Sequence, residues 1–267
     1  MQIRDHVFVV TGGGNGIGRE TVLALLRDGA HVAAVDLREP ALTETARLAG
    51  APDRLTLHTA DVSDEAAVSA LAEDVLAAHG HVDGLINVAG IIQKFAKVAD
   101  LSHAEIEKVM AVNFWGVVHT TRAFLPALRS RPAASLVNVS SMGALVPVPG
   151  QSAYGASKAA VKLFTEGLYA ELHGTPVAVT VVFPGGVATA IAENSGSAIP
   201  GQQSDTSGME AKLTKPADAA AQIVDAVRTG RFRVRIGGDA RLLDRLSRLA
   251  PRRATELVAR RMSALLG

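Results

Sequence analysis

The octapeptide Thr11-Gly-Gly-Gly-Asn-Gly-Ile-Gly18 restricts this chain more than any other stretch. It stands between His6-Val-Phe-Val-Val10, a compact β-branched and aromatic run, and a helical pattern through Leu26. Glycines at 12, 16 and 18 permit a tight turn and let backbone N–H groups approach a pyrophosphate. The start of the following helix favours the negative charge. Three glycines in a loop mean little alone; the strand before and the helix after give this loop a mechanism.

The alternation continues along the chain. His31–Val35, Arg54–His58, Val82–Val88, Ser135–Val139, Val177–Phe183 and Phe232–Ile236 are further strand candidates. Continuous apolar runs indicate strands covered on both faces. Helical segments between them imply right-handed crossovers and a parallel sheet. With 267 residues, 48% of them hydrophobic, the chain fits one α/β domain with a large core. No apolar run approaches the roughly eighteen residues of a membrane span. Met1-Gln-Ile-Arg-Asp leads straight into the first strand without a secretory signal, so a cytoplasmic location is expected. The absence of cysteine excludes disulfides, thiolate metal sites and a cysteine nucleophile. The eight histidines form no ligand pattern, and His79-Gly-His81 reads as a solvated turn rather than a metal site. Residues 190–215 hold Gly, Ser, Gln and Pro with few periodic apolar positions, which suits a lid over an active site.

Two further groups carry chemistry. Asp36 ends the second strand, eighteen residues after Gly18, where a carboxylate accepts hydrogen bonds from ribose hydroxyls and repels a 2′-phosphate. NAD is therefore expected over NADP, with Arg38 keeping NADP as the second choice. Asp61-Val62 after the third strand either brackets the adenine or belongs to a turn. Tyr154-Gly-Ala-Ser-Lys158 opens an apolar-striped helix, so residues four apart project a phenol and an ammonium into one space. A phenol has a pKa of roughly 10. A close cation lowers it by about 1–3 units, making the pair a proton-transfer device near neutral pH.

These motifs, with Asn87-Val-Ala-Gly90, Asn113, Ser140-Ser141 and Pro184-Gly-Gly-Val-Ala-Thr189, occur in the order of the short-chain dehydrogenase/reductase family. The chain resembles that family to about residue 240. The resemblance implies a doubly wound Rossmann fold with a seven-stranded, mostly parallel sheet and helices on both faces. It also implies hydride transfer between a nicotinamide and a secondary alcohol or ketone. By the same resemblance Tyr154 is the acid/base and Lys158 lowers its pKa while holding the nicotinamide ribose. Ser141 holds the substrate oxygen, and Asn113 fixes a water in a relay to Lys158. The cofactor would be held by Gly12, Asn15, Gly16, Ile17, Gly18, Asp36, Leu37, Asp61, Val62, Asn87, Ala89, Gly90, Pro184, Gly185, Val187 and Thr189, with Tyr154 and Lys158. Val88 stands where the family often has a second asparagine. Gln93, Lys94, Phe95, Met142, Val146 and Gln151 are expected around an apolar-leaning substrate, with Ser141, Met142, Gln151 and Tyr154 in contact with it.

Charge is uneven along the chain. Residues 1–227 carry 16 Lys and Arg against 23 acids, whereas residues 228–267 carry 11 Arg against 3. Leu242, Leu243, Leu246, Leu249 and Ala250 form a helical apolar stripe, and after Pro251 the positions Leu257, Val258, Met262, Leu265 and Leu266 continue one. Residues 1–240 thus read as the cofactor-binding and catalytic domain, and 241–267 as a basic amphipathic extension. Packing on its own body ranks first for this extension, a subunit contact second and an anionic membrane third. Nucleic acid is not expected as a partner, and a homodimer is expected ahead of a tetramer. A nicotinamide-binding sensor or scaffold without turnover is the rival reading.

Overall fold

The computed structural model describes residues 1–189, 191–197 and 213–262. Strands β1 (Val7–Thr11), β2 (His31–Asp36), β3 (Leu55–Thr59), β4 (Gly84–Asn87), β5 (Ala134–Val139), β6 (Val177–Pro184) and β7 (Arg233–Ile236) build one sheet. Its order is β3-β2-β1-β4-β5-β6-β7, and every neighbouring pair is parallel. The expected mostly parallel sheet is wholly parallel. β4 is shorter than its apolar run, because the N–H of Val88 turns to the Thr11 hydroxyl instead of continuing the ladder.

Helices α1 (Gly16–Arg27), α2 (Glu39–Ala49), α3 (Glu65–His79), α4 (His103–Met110), α5 (Gly116–Arg129), α6 (Ser152–Glu171), α7 (Ile191–Asn194) and α8 (Pro216–Thr229) connect the strands or flank the sheet. Successive residues of a strand point to opposite faces, and β1 divides its side chains between two cores in this way. Phe8 and Val10 join Val22, Leu25 and Ile223 on one face. Val7 and Val9 join Val75, Phe124 and Leu168 on the other. The helix starts are set by local chemistry: Asp64 caps α3 by accepting from the N–H groups of Ala66 and Ala67, and Ser102 with Glu105 forms a capping box on α4. Strand order reverses between β1 and β4, which opens a crevice at the carboxyl ends of these strands.

Two more helices, α9 (Gly238–Leu249) and α10 (Pro251–Arg261), come after β7. Ala254 and Val258 of α10 bury Val146, and Leu243, Leu246 and Met262 pack around them. The sequence stripe on α9 splits. Leu243 and Leu246 turn inward, but Leu242 is 59% exposed and Leu249 87%. The inward centre of the helix is taken by Ala240 and by Asp244, a buried acid that accepts from Arg235 and Arg248, each at 2.9 Å. Burial pushes the Asp244 carboxyl up, but these arginines more than offset it and hold the group below the usual carboxylate range. The continuation of the α10 stripe at Leu265 and Leu266 lies outside the described residues.

Candidate active site

The crevice beyond the strand ends has a volume of about 370 Å³. Its wall includes Gly12, Asn15, Gly16, Ile17, Gly18, Asp36, Leu37, Asp61, Val62, Ala89, Gly90 and Thr189, all named from the sequence. Arg38, Ser63, Lys108, Val112, Asn194 and Ser195 also line it. Of these six, Arg38 carries a sequence signal of its own and Asn194 and Ser195 fall in the candidate lid, whereas Ser63, Lys108 and Val112 carry none, because loop and helix-end residues without a motif give none.

The glycine loop fits a pyrophosphate for two separate reasons. A Cβ on Gly18 would lie 2.0 Å from the Gly12 carbonyl, so the helix can approach the turn only with glycine there. The N-terminus of α1 has no side-chain cap from Asn15 and no acid in its first turn, which leaves its N–H groups for an anion. Asp36 accepts from the N–H of Gly14 at 3.0 Å and of Arg38 at 3.1 Å, one to each oxygen. Each oxygen keeps accepting capacity for a ribose hydroxyl. Asp61 does belong to a turn, through its bonds with the N–H and hydroxyl of Ser63, and it lines the crevice as well. These donors, acceptors and close approaches suit a dinucleotide.

Asn87, Tyr154, Lys158, Pro184, Gly185 and Val187 do not line this crevice. Asn87 is buried; its amide donates to Asn138 and its oxygen accepts from Thr120, each at 2.8 Å, which ties β4 to β5 and α5. The Pro184–Thr189 loop is fastened from two sides. Val187 bridges to Thr214, and Gly186 N–H donates to Asp239 at 2.8 Å. A Cβ on Gly185 would lie 2.2 Å from an Asp239 oxygen. Of the candidate lid, residues 191–197 lie against the loop after β4, where Ile92 N–H donates to Ser195 Oγ at 3.0 Å. Residues 190 and 198–212 lie outside the described part.

The second half of the site gathers on α6. Ser141 accepts from Gly143 N–H at 3.0 Å, and its hydroxyl is close enough to Tyr154 to pull on the phenol. A Cβ placed on Gly143 would lie 3.5 Å from both Ser141 Oγ and a Tyr154 ring carbon, so the two polar side chains flank one glycine. Ser140, by contrast, is buried and donates to the Lys158 carbonyl at 2.7 Å. Lys158 is 4% exposed and its ammonium donates to Val139 O at 3.1 Å. Gly90 leaves room for it, since a Cβ there would sit 3.0 Å from Lys158 Nζ and 3.1 Å from Asn113 Oδ1.

Burial raises the Tyr154 phenol above its usual value, and the Ser141 hydroxyl pulls part of the way back. The resemblance implied a lowering by Lys158. The structure gives the opposite direction, with the ammonium turned to a main-chain carbonyl and itself pulled down to about 8 by burial.

Asn113 lies in a five-residue π turn, Ala111–Trp115, between α4 and α5. Its oxygen accepts from Ile91 N–H at 2.8 Å, and its amide donates to Ile91 O and Ser157 Oγ, each at 2.9 Å. Both amide hydrogens are therefore engaged in joining the loop after β4 to α6. Ser157 also donates to the Tyr154 carbonyl at 2.7 Å, a link with no sequence signal beyond the Tyr–Lys motif itself.

Four pocket expectations change. Gln93 is buried, and its oxygen accepts from Ala153 and Tyr154 N–H at 2.8 and 3.0 Å, capping the start of α6. Gln151 is buried beside it, and its amide donates to the Gln93 carbonyl at 2.9 Å, which ties it into the wall. Val146 is covered by Ala254 and Val258. Lys94 points outward to Glu105.

A family model for short chain dehydrogenase matches residues 6–199. A Mycobacterium tuberculosis protein named as an oxidoreductase, SadH, is 40% identical over 95% of this chain and 94% of its own. Levodione reductase of Leifsonia aquatica is 34% identical over 72% of this chain and 73% of its own. Among solved structures, a short chain dehydrogenase/reductase from Burkholderia phymatum in complex with NAD superposes with a TM-score of 0.83 at 27% identity. It covers 96% of this chain and 97% of that one. A short chain dehydrogenase from Burkholderia cenocepacia in complex with NADP gives 0.79 at 26%, covering 98% and 99%.

Proposed function

This chain belongs to the short-chain dehydrogenase/reductase family and is an oxidoreductase enzyme, and from that premise we propose reversible hydride transfer between NAD and a secondary alcohol or ketone, with Tyr154 as acid/base. The observation that carries the reading is the meeting of Ser141 and Tyr154 around Gly143, one helical turn from buried Lys158. When bound, the nicotinamide supplies the hydride acceptor or donor. Ser141 Oγ orients the substrate oxygen and steadies the charge that grows on it. Tyr154 Oη takes the hydroxyl proton in oxidation and returns it in reduction. Because burial raises the phenol, it rests protonated at neutral pH, ready to donate in the reductive direction. Asn113 holds the frame: its side chain joins Ile91 to Ser157. Met142, beside Ser141, and Ile191 at the mouth favour an apolar substrate.

Tyr154→Phe should abolish turnover of an alcohol panel, followed by NADH absorbance, while NADH binding stays near normal. Lys158→Ala should damage both. Retention of more than a few per cent of activity by Tyr154→Phe would remove Tyr154 from the chemistry. Unmodified protein that binds NADH tightly and turns over nothing would favour the sensor.

The preference for NAD rests on Asp36, whose two backbone bonds hold a negative group in the crevice. Unmodified protein should show the higher kcat/KM with NAD, and Asp36→Ala should shrink the gap by roughly tenfold or more, a loss of about 1.4 kcal/mol in discrimination. A higher kcat/KM with NADP would refute this assignment, with Arg38 and Lys108 then the residues to test.

A further inference from the structure

The outer side of α9 has a composition that its inner packing does not need. Leu242 is 59% exposed and Leu249 87%. Seven residues apart, they share one helical face, and Arg245 lies between them at i+3 from Leu242. Residues 228–267 contain eleven arginines, no lysine and three acids. All three acids are turned to the chain itself. Asp239 holds Gly186 N–H, Asp244 holds Arg235 and Arg248, and Glu256 holds Arg252. Arg241, Arg245 and Arg253 have no acidic partner among the described residues. Exposed arginines without an acidic partner, Arg241 and Arg245, thus share the outward side of α9 with Leu249, the most exposed leucine among the described residues.

We propose that this face of α9 docks on an anionic lipid bilayer. The leucines suit insertion at the boundary between headgroups and acyl chains. Guanidinium groups pair with phosphate through several donors at once and are drawn to a negative leaflet. A second copy presenting the same face would oppose like charges. None of the described helices is long and apolar enough to cross a membrane, and the proposed contact lies along the surface.

The docking side has a consequence for substrate, resting on the proposed roles of Ser141 and Tyr154. The tail's inner face covers Leu145 and Val146, which come shortly after Ser141 in the chain. Docking therefore brings the Ser141 loop to within about one helix diameter, roughly 10–12 Å, of the lipid surface. An alcohol or ketone dissolved in the bilayer is the substrate class that benefits.

Cosedimentation tests the surface independently of turnover. Vesicles of equal parts phosphatidylglycerol and phosphatidylcholine should carry the protein down at low salt, and pure phosphatidylcholine vesicles should not. Salt at ~0.5 M, where screening reaches only a few ångströms, should release most of it. Arg241→Gln with Arg245→Gln should lower partitioning more than about tenfold. Leu242→Ser with Leu249→Ser should weaken binding as well, while NADH binding remains normal as a check of folding. Tyr154→Phe should sediment like the unmodified protein, which separates this proposal from the catalytic one. Failure to sediment with anionic vesicles overturns it, as does partitioning unchanged in both double variants. A drop in vesicle-free mass by light scattering in the leucine variant would assign the face to a second copy and overturn it too.

Discussion

Asp239 occupies a space that glycines leave free. Cβ atoms on Gly185 and Gly237 would lie 2.2 and 2.4 Å from its carboxylate, and Gly186 N–H donates to it. Asp239 is therefore a positioning residue for the loop through Thr189, which lines the cofactor crevice. Asp239→Ala should raise KM for the cofactor by about tenfold, the scale of one hydrogen bond to a charged group, with a smaller change in kcat. Asp239→Asn keeps an accepting oxygen and should restore most of the loss. Equal effects of both variants on kcat and KM would contradict the positioning role. Nothing in the sequence marks this residue, because its partner lies 53 positions upstream. Gln93 teaches the same lesson. Its place near a motif suggests the pocket, but its oxygen caps a helix start 60 and 61 residues away. Tyr154 and Lys158 are legible because one helix fixes their spacing.

Among the elements, strands and the helices between them are readable from apolar runs, since a parallel sheet buries both faces. The π turn at Ala111–Trp115 is not, because a one-residue change in helical bonding leaves no trace in composition. Nor is the pairing of β3 with α3 through histidines. Thr56 Oγ1 meets His58 Nε2 at 2.9 Å and His79 Nε2 at 2.8 Å, and His81 stands 3.2 Å from the buried Asp83 carboxylate. The turn is thus partly packed rather than simply solvated. Burial holds both His58 and His79 below the usual imidazole value, with neighbouring histidines adding to the effect on His79. The unfolded chain then takes up protons first as pH falls, so their contribution is complete above about pH 6.5 and is lost as pH drops through the lowered folded values. The melting temperature should fall by a few degrees between about pH 7.5 and pH 5. The fall should be smaller in His79→Gln, whose amide can still donate to Thr56. An identical pH slope in that variant would show that the decline originates elsewhere.

For the molecule as a whole, we propose a dimer through the outer sides of α4, α5 and α6. Trp115 is 51% exposed and Leu163 69%, and Phe114 lies tilted against Trp115 and edge-on to Phe164 at centroid distances of 5.5 and 6.1 Å. Exposed aromatic and leucine side chains in one region suit a subunit contact. Light scattering should give the mass of two chains, and Trp115→Ala with Leu163→Glu should give one; a stable tetramer would count against the arrangement. Helices α9 and α10 come after β7 and crowd that end of the sheet. They also impose an order on assembly. Synthesis proceeds from the amino end, and domains form as the chain emerges. The strands and Tyr154, Lys158 and Gly186 are therefore all made before Asp239 and Val258, which fasten the Gly186 loop and Val146. A nascent chain can hold its sheet together yet keep its reactive cleft unfinished. Seating of α9 and α10 on the body, rather than formation of the core, is then the step that fastens the Gly186 loop and Val146.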